Sequence, residues 1–179
     1  MRATDNVCYL NYKEYVDTLE KGREKRIKPN IVKKALKDID VNDPFFDSLK
    51  TDYPDYTKWF AKKKKQGANA YVTVNKRHIT SLLMLKVENE EDYGNFSKEM
   101  KKCRRLKIAT FKVEDTGKHI ANTFIEIIKK KAIELKIEEI YITILDKHKE
   151  LINFLIKEGF YYYCIKNTNE KVYIKEIRN

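Results

Sequence analysis

Residues 113 to 121 read V-E-D-T-G-K-H-I-A, and most of these side chains can do chemistry. Glu114 and Asp115 bring carboxylates, Lys118 a cation, His119 an imidazole and Gly117 the freedom to turn. An apolar, β-branched run leads into the stretch, and an amphipathic helical pattern starts directly after it. A strand that turns at once into a helix exposes the N–H groups of the helix N-terminus, and the helix dipole there favours an anion. The chemistry to expect is retention of a phosphate by the backbone amides of residues 117 to 121. Lys118 would add charge. His119 carries a Cβ where a close backbone approach is easiest for glycine.

The elements that must position this turn follow from periodicity. Residues 105 to 114, RLKIATFKVE, alternate as a strand. Ile120, Phe124, Ile127, Ile128, Ala132 and Leu135 then recur at helical spacing through residue 136. EEIYITIL is a further strand, KHKELINFLIKEGF a helix ending at Gly159, and FYYYCI with KVYIKEI a closing hairpin. Upstream, a first strand is expected around residues 35 to 41. A helix follows, with Asn42 or Asp43 as N-cap and Pro44 in its first turn, stopped by Pro54. DYTKWFAKKKKQG is a second short helix closed by Gly67. Residues 70–74 and 79–87 flank NKRH as a hairpin, and residues 88 to 102 form a charged surface loop with a helical turn. The predicted order is β, α, α, β, β, β, α, β, α, β, β. Strands 105–114 and 139–145, joined by a crossover helix, should be parallel.

The chain has 179 residues, enough for one domain with a full core. Cys8, Cys103 and Cys164 are odd in number and far apart, and His78, His119 and His148 are equally scattered, so no metal site or disulfide framework is expected. No apolar run reaches the roughly 20 residues of a membrane span. Charges in the first 17 residues interrupt any signal-peptide core, so cytoplasmic residence is the simplest expectation. The net charge of +11 comes from 38 basic and 27 acidic residues, in runs such as AKKKK at 61 to 65 and KEMKKCRR at 98 to 105. Such an excess attracts polyanions, nucleic acid or a ribonucleoprotein among them. A solvated lysine-rich surface accounts for it equally well.

The element order and two local patterns resemble the GNAT superfamily of acyl-CoA-dependent N-acetyltransferases, over roughly residues 35 to 177. ATFKVEDTGKHIANTFIEIIKKKAIELKIEEIYITI looks like that family's strand, pyrophosphate loop, helix and next strand. HKELINFLIKEGFYYY looks like its helix ending in Gly-Phe before the sixth strand. The resemblance implies an α/β fold: a mixed, mostly antiparallel sheet of about six to seven strands with a central splayed parallel pair and flanking helices. It implies acetyl-CoA as co-substrate, no metal, and an amine acceptor of unspecified identity, on a protein or a charged tRNA. The family loop Gln/Arg-x-x-Gly-x-Gly/Ala falls on Thr116, His119 and Ala121. Thr116, Gly117, Lys118, His119, Ile120 and Ala121 would hold the pyrophosphate. Phe111 and Val113 would flank the thioester, with Thr143 on the facing strand; core packing also accounts for both apolar residues. Many members have a Tyr acid five residues before the Phe of Gly-Phe. Leu155 stands there in this chain. Tyr161 and Tyr162, just after the Gly-Phe, are the candidate acids, and Glu114 is the candidate base. Glu114 serves equally well as an acid favouring the helix dipole.

Two functions from different classes follow. One is an acetyltransferase; the other is a degenerate member that keeps the fold and binds nucleic acid or a protein partner without catalysis. In FFDSLKTDYPDYTKWF, core packing of the helices is expected, with Tyr53 and Tyr56 suited to a wet pocket edge. Residues 31 to 179 form the acetyltransferase-like domain. Residues 1 to 30 are expected to form a helical arm or extension, an oligomerisation element, or the remnant of an upstream domain; a homodimer is a separate expectation.

Overall fold

The computed structural model describes residues 29–89, 91–115 and 119–177. The expected arm therefore lies almost wholly outside the described residues, and so do Thr116, Gly117 and Lys118. The elements run β1 (Val32–Ala35), two 3₁₀ turns (Leu36–Asp38 and Pro44–Phe46), α1 (Asp47–Asp52) and α2 (Tyr56–Lys65). Then come β2 (Asn69–Asn75), β3 (His78–Asn89), β4 (Arg104–Val113) and α3 (Ile120–Glu134). The chain closes with β5 (Glu139–Leu145), α4 (Lys149–Lys157), β6 (Tyr161–Ile165) and β7 (Glu170–Glu176). This is the predicted order. The seven strands form one mixed sheet, β1-β2-β3-β4-β5-β7-β6. Every described pairing is antiparallel except β4 with β5, which is parallel over Arg105–Ile108 and Glu139–Ile142.

The described residues fall into two compact units. The first takes those within Met1–Met84 and Thr110–Ile120, the second those within Leu85–Ala109 and Ala121–Asn179. In the first unit Phe46, Leu49, Phe60, Val72, Leu82, Leu83 and Phe111 are buried. Phe46 meets Phe60 edge-on with centroids 5.5 Å apart, and Tyr56 lies 6.2 Å from Phe60. Tyr56 is thus part of the core, with only 6% of its surface exposed, whereas its hydroxyl had suggested a pocket edge. Asp43 starts the helical segment: its Oδ1 accepts from Phe45 N–H at 2.9 Å, with Pro44 following. The other carboxylate oxygen of Asp43 accepts from Ile79 N–H at 3.3 Å and meets His78 Nδ1 at 3.3 Å. These contacts steady a hairpin whose two turn residues, Lys76 and Arg77, have φ of 46° and 73°. Neither is the Asn or Gly that such a turn favours.

In the second unit Ile140, Ile142 and Ile144 bury one face of β5. Tyr141, out of phase with them, joins Met100, Cys164, Val172 and Ile174 on the other. Helix α4 buries Leu151, Ile152, Phe154 and Leu155 and stops at Gly159, whose φ of +89° suits glycine.

Two expectations need correction. The first strand is Val32–Ala35, not 35–41, because Leu36–Asp38 winds into a 3₁₀ turn and the amide of Leu36 donates to Ala68 O at 2.9 Å. The expected surface loop at 88–102 instead begins as the end of β3. It then carries Tyr93, Phe96 and Met100 onto the Tyr141 cluster without forming a helix among the described residues. Buried aromatic contact, with Tyr93 edge-on to Tyr141 at 5.8 Å, decides that path. Among the described residues no helix is long and apolar enough to cross a membrane.

Candidate functional site

The end of β4 and the turn after it belong to the first unit. Glu114 and Asp115 both donate their N–H to the carbonyl of Thr80, at 2.8 and 3.3 Å. The Thr80 hydroxyl donates to Asp115 Oδ2 at 3.3 Å and meets the Thr73 hydroxyl at 2.8 Å. The chain leaving β4 is therefore moored to β3 on both its backbone and its side chain. Where the turn rejoins the helix, His119 has φ +51°. That is the left-handed region which glycine enters freely and which His, Asn and Asp tolerate better than most residues. Ile120 and Ala121 follow, both buried, and α3 has no acidic residue in its first turn to compete for its amides.

Glu114 has a side chain 42% exposed and pairs with Lys112 at 2.7 Å. Lys112 itself is almost wholly buried. Its ammonium also donates to Phe45 O at 2.5 Å and Ser48 Oγ at 2.6 Å, and lies 4.4 Å from the centre of the Phe45 ring. All three protons of the ammonium have acceptors. A fixed, water-exposed carboxylate at this place can take a proton from an incoming group.

The second unit holds the remaining sequence-derived candidates. Thr143 lies half-buried on β5 and donates to Glu170 Oε1 at 3.2 Å. Tyr161 and Tyr162 stand on the edge strand β6, 44% and 53% exposed, with β7 between them and β5. Two strand spacings, roughly 9–10 Å, thus separate their backbone from that of β5. The Tyr161 hydroxyl reaches Glu176 at 3.4 Å, and the Tyr162 ring packs on Tyr173 at 5.9 Å. Burial, then the Glu176 and Glu139 carboxylates, hold the Tyr161 phenol above its ordinary pKa. Leu155 is fully buried. The structure thus brings Glu114 to Lys112 and does not bring the tyrosines beside Thr143.

No family model and no curated protein sequence matches the chain. Solved structures do. Arylalkylamine N-acetyltransferase 2 from Aedes aegypti superimposes with a TM-score of 0.55 at 12% identity, covering 83% of this chain and 100% of that one. A GNAT-family acetyltransferase from Streptococcus agalactiae gives 0.53 at 16% identity, over 71% of this chain and 75% of that one. An agmatine N-acetyltransferase gives 0.51 at 8% identity, over 83% and 100%. The chain has the GNAT fold.

Within that GNAT fold, sequence reasoning missed two features. Lys112 read as a polar strand position. The second is a polar cluster in the second unit, centred on Glu88, which is 5% exposed. Glu88 Oε1 accepts from the Tyr141 hydroxyl and from the Tyr93 hydroxyl, while Oε2 accepts from Lys86 at 2.7 Å. Burial opposes the Glu88 charge, but hydrogen bonds from Lys86 and Tyr141 and the charge of Lys107 outweigh it and hold the carboxyl below its ordinary pKa. Burial and the same carboxylate push Tyr93 up to about 12 and raise Tyr141 further. Arg105, fully buried, pairs with Glu139 across the parallel strands. The one sequence signal was the pair Lys107 and Lys112. Five residues apart on one strand, they must face opposite sides of the sheet.

Proposed function

We propose that this chain is an N-acetyltransferase that moves an acetyl group from acetyl-CoA to an amine. The observation that carries the reading is the backbone of His119 and the start of α3. In a GNAT fold, His119 adopts the left-handed conformation at the position where the family has glycine. The amides of a 15-residue helix follow it, with no acid in the first turn. On this reading Thr116, Gly117, Lys118, His119, Ile120 and Ala121 hold the pyrophosphate, and Phe111 and Val113 flank the thioester, with Thr143 the candidate on the facing strand. The names of two fold neighbours, which acetylate arylalkylamines and agmatine, suit an amine acceptor.

The chemistry needs a neutral amine, whose lone pair attacks the thioester carbonyl. The C–S bond then breaks, and the thiolate takes up a proton. Glu114 accepts the proton that the ammonium sheds. Leu155 has no proton to give, and Tyr161 and Tyr162 are the candidate acids. The Tyr161 phenol, held above its ordinary pKa, keeps its proton near neutrality. Glu114 is less remote from the turn in sequence and is the stronger assignment of the three.

Calorimetric titration with acetyl-CoA tests the reading, with desulfo-CoA as control. Binding in the micromolar range is expected, weakened at least about tenfold by Gly117→Asp with Lys118→Ala. Absence of heat and of any thermal shift at millimolar ligand would end the enzyme reading.

A further inference from the structure

Lys107 differs from the other interior cations of the second unit. Lys86 is paired with Glu88 at 2.7 Å and Glu91 at 3.7 Å, and Lys166 with Glu170 at 3.4 Å. Arg105 has Glu139. Among the described residues the Lys107 ammonium makes no ion pair and no hydrogen bond, and it lies 5.6 Å from the centre of the Tyr141 ring. The carboxylates that face it are already engaged. Glu88 takes Lys86, Tyr141 and Tyr93, and Glu170 takes Lys166, Thr168 and Thr143.

The groups around Lys107 come from every neighbouring element: the charged Lys86 and Glu88 on β3, the neutral Tyr141 ring on β5, and the charged Lys166 and Glu170 at the β6–β7 turn. Burial leads, and repulsion from Lys166 and Lys86 adds to it; Glu88 and Glu170 only partly oppose them, so the amine sheds its proton more readily than an ordinary lysine. Part of its surface remains accessible. Lys107 also lies one residue before the end of the parallel pairing, which runs Arg105–Ile108 on β4.

We propose that Lys107 is a self-acylation site, at which the chain's own lysine amine takes an acetyl group from acetyl-CoA. The inference rests on the proposed function only for its donor. The Nζ lone pair attacks the thioester carbonyl, the N–C bond forms, the C–S bond breaks, and the proton lost by nitrogen ends on the thiol. No oxidant or further reactant is required. The neutral amide would then leave Lys86 and Lys166 as the flanking cations. Nucleophilicity here belongs to the unprotonated amine, which for an ordinary lysine is only about one part in 10³ at neutral pH.

The test incubates the full chain with acetyl-CoA between pH 7 and 10 and follows acetylation of each lysine by peptide mass spectrometry. Exposed Lys58 and Lys65 serve as internal references. At pH 7.5 Lys107 should lead them by at least about fivefold, and its rate should level off at a lower pH than theirs. A Lys107 rate at or below the references overturns the proposal. The cofactor reading is scored separately, by whether the rate saturates with acetyl-CoA and whether the ligand raises the melting temperature. Saturation and a thermal shift with Lys107 unmodified leave that reading standing and sink this one. A fast Lys107 whose rate rises linearly, with no thermal shift, does the reverse.

Discussion

Replacing Lys112 by Met removes a buried ammonium at nearly constant volume, so the loss of stability can be worked from its partners. Phe45 O and Ser48 Oγ lose a donor at 2.5 and 2.6 Å, in a region where Phe45 is 3% and Ser48 4% exposed. Each orphaned buried acceptor costs about 1–3 kcal/mol. Glu114, the third partner, is 42% exposed, so water can take over its carboxylate. The penalty of about 3–5 kcal/mol for stranding a buried charge therefore does not apply. Relief of the ammonium's own desolvation offsets part of the loss, leaving about 2–3 kcal/mol net destabilisation. Trp59 is the chain's one tryptophan and lies 5.3 Å from Tyr56 in the same unit, so its fluorescence reports this transition in urea. A cycle with Ser48→Ala isolates the contact. Ser48→Ala should cost about 1 kcal/mol in the parent chain and should cost nothing, or recover about 1 kcal/mol, once Lys112 is Met. Equal costs in both backgrounds, or a Lys112→Met chain within about 0.5 kcal/mol of the parent, would refute the reasoning: desolvation would then cancel the three contacts.

Two further outcomes are expected. Lys76→Asn with Arg77→Gly should raise stability by about 1 kcal/mol in urea, because φ of 46° and 73° suit those residues and strain the present pair; an unchanged or lower midpoint would show that the Asp43 contacts already absorb the strain. For Glu88 the folded-state pKa is depressed, so its contribution is present above the ordinary carboxylate value of 4.5 and is lost as pH falls through the folded value. Denaturation midpoints between pH 7 and 3 should therefore drop more steeply for the parent chain than for Glu88→Gln; parallel curves would remove Glu88 as an acid-sensitive group.

Much of the fold was legible because the strands and helices after residue 100 have clean periods. Ile140, Ile142 and Ile144 repeat every second residue, and Ile120, Phe124, Ile128 and Ala132 every fourth, and each set is buried as a set. The first strand was misplaced because IVKKALKDIDV has apolar residues in two phases, and a tertiary hydrogen bond from Leu36 to Ala68 O chose between them. The loop after β3 was misread because Tyr93, Phe96 and Met100 recur at i, i+3 and i+7, a helical spacing, among exposed charges, whereas packing on Tyr141 holds them in an irregular segment. In the candidate site, the change of period after residue 114 located the turn after β4, but nothing in the sequence showed that His119 takes the positive φ there. Nor did the spacing reveal the other partners of Lys112, the ammonium that pairs with Glu114. Those come from residues 45 and 48, and local pattern carries no information about contacts so distant in sequence.

That separation also bears on how the first unit forms. Lys112 meets Phe45 and Ser48 across 67 and 64 residues of chain. Contacts of such span carry a loop-closure cost before they reward anything. An ammonium cannot be dehydrated ahead of its acceptors without a penalty of several kcal/mol. The 44–52 segment and the end of β4 must therefore dry in one step, neither waiting buried for the other. A half-docked chain with this amine buried and its acceptors absent is thus a disfavoured intermediate.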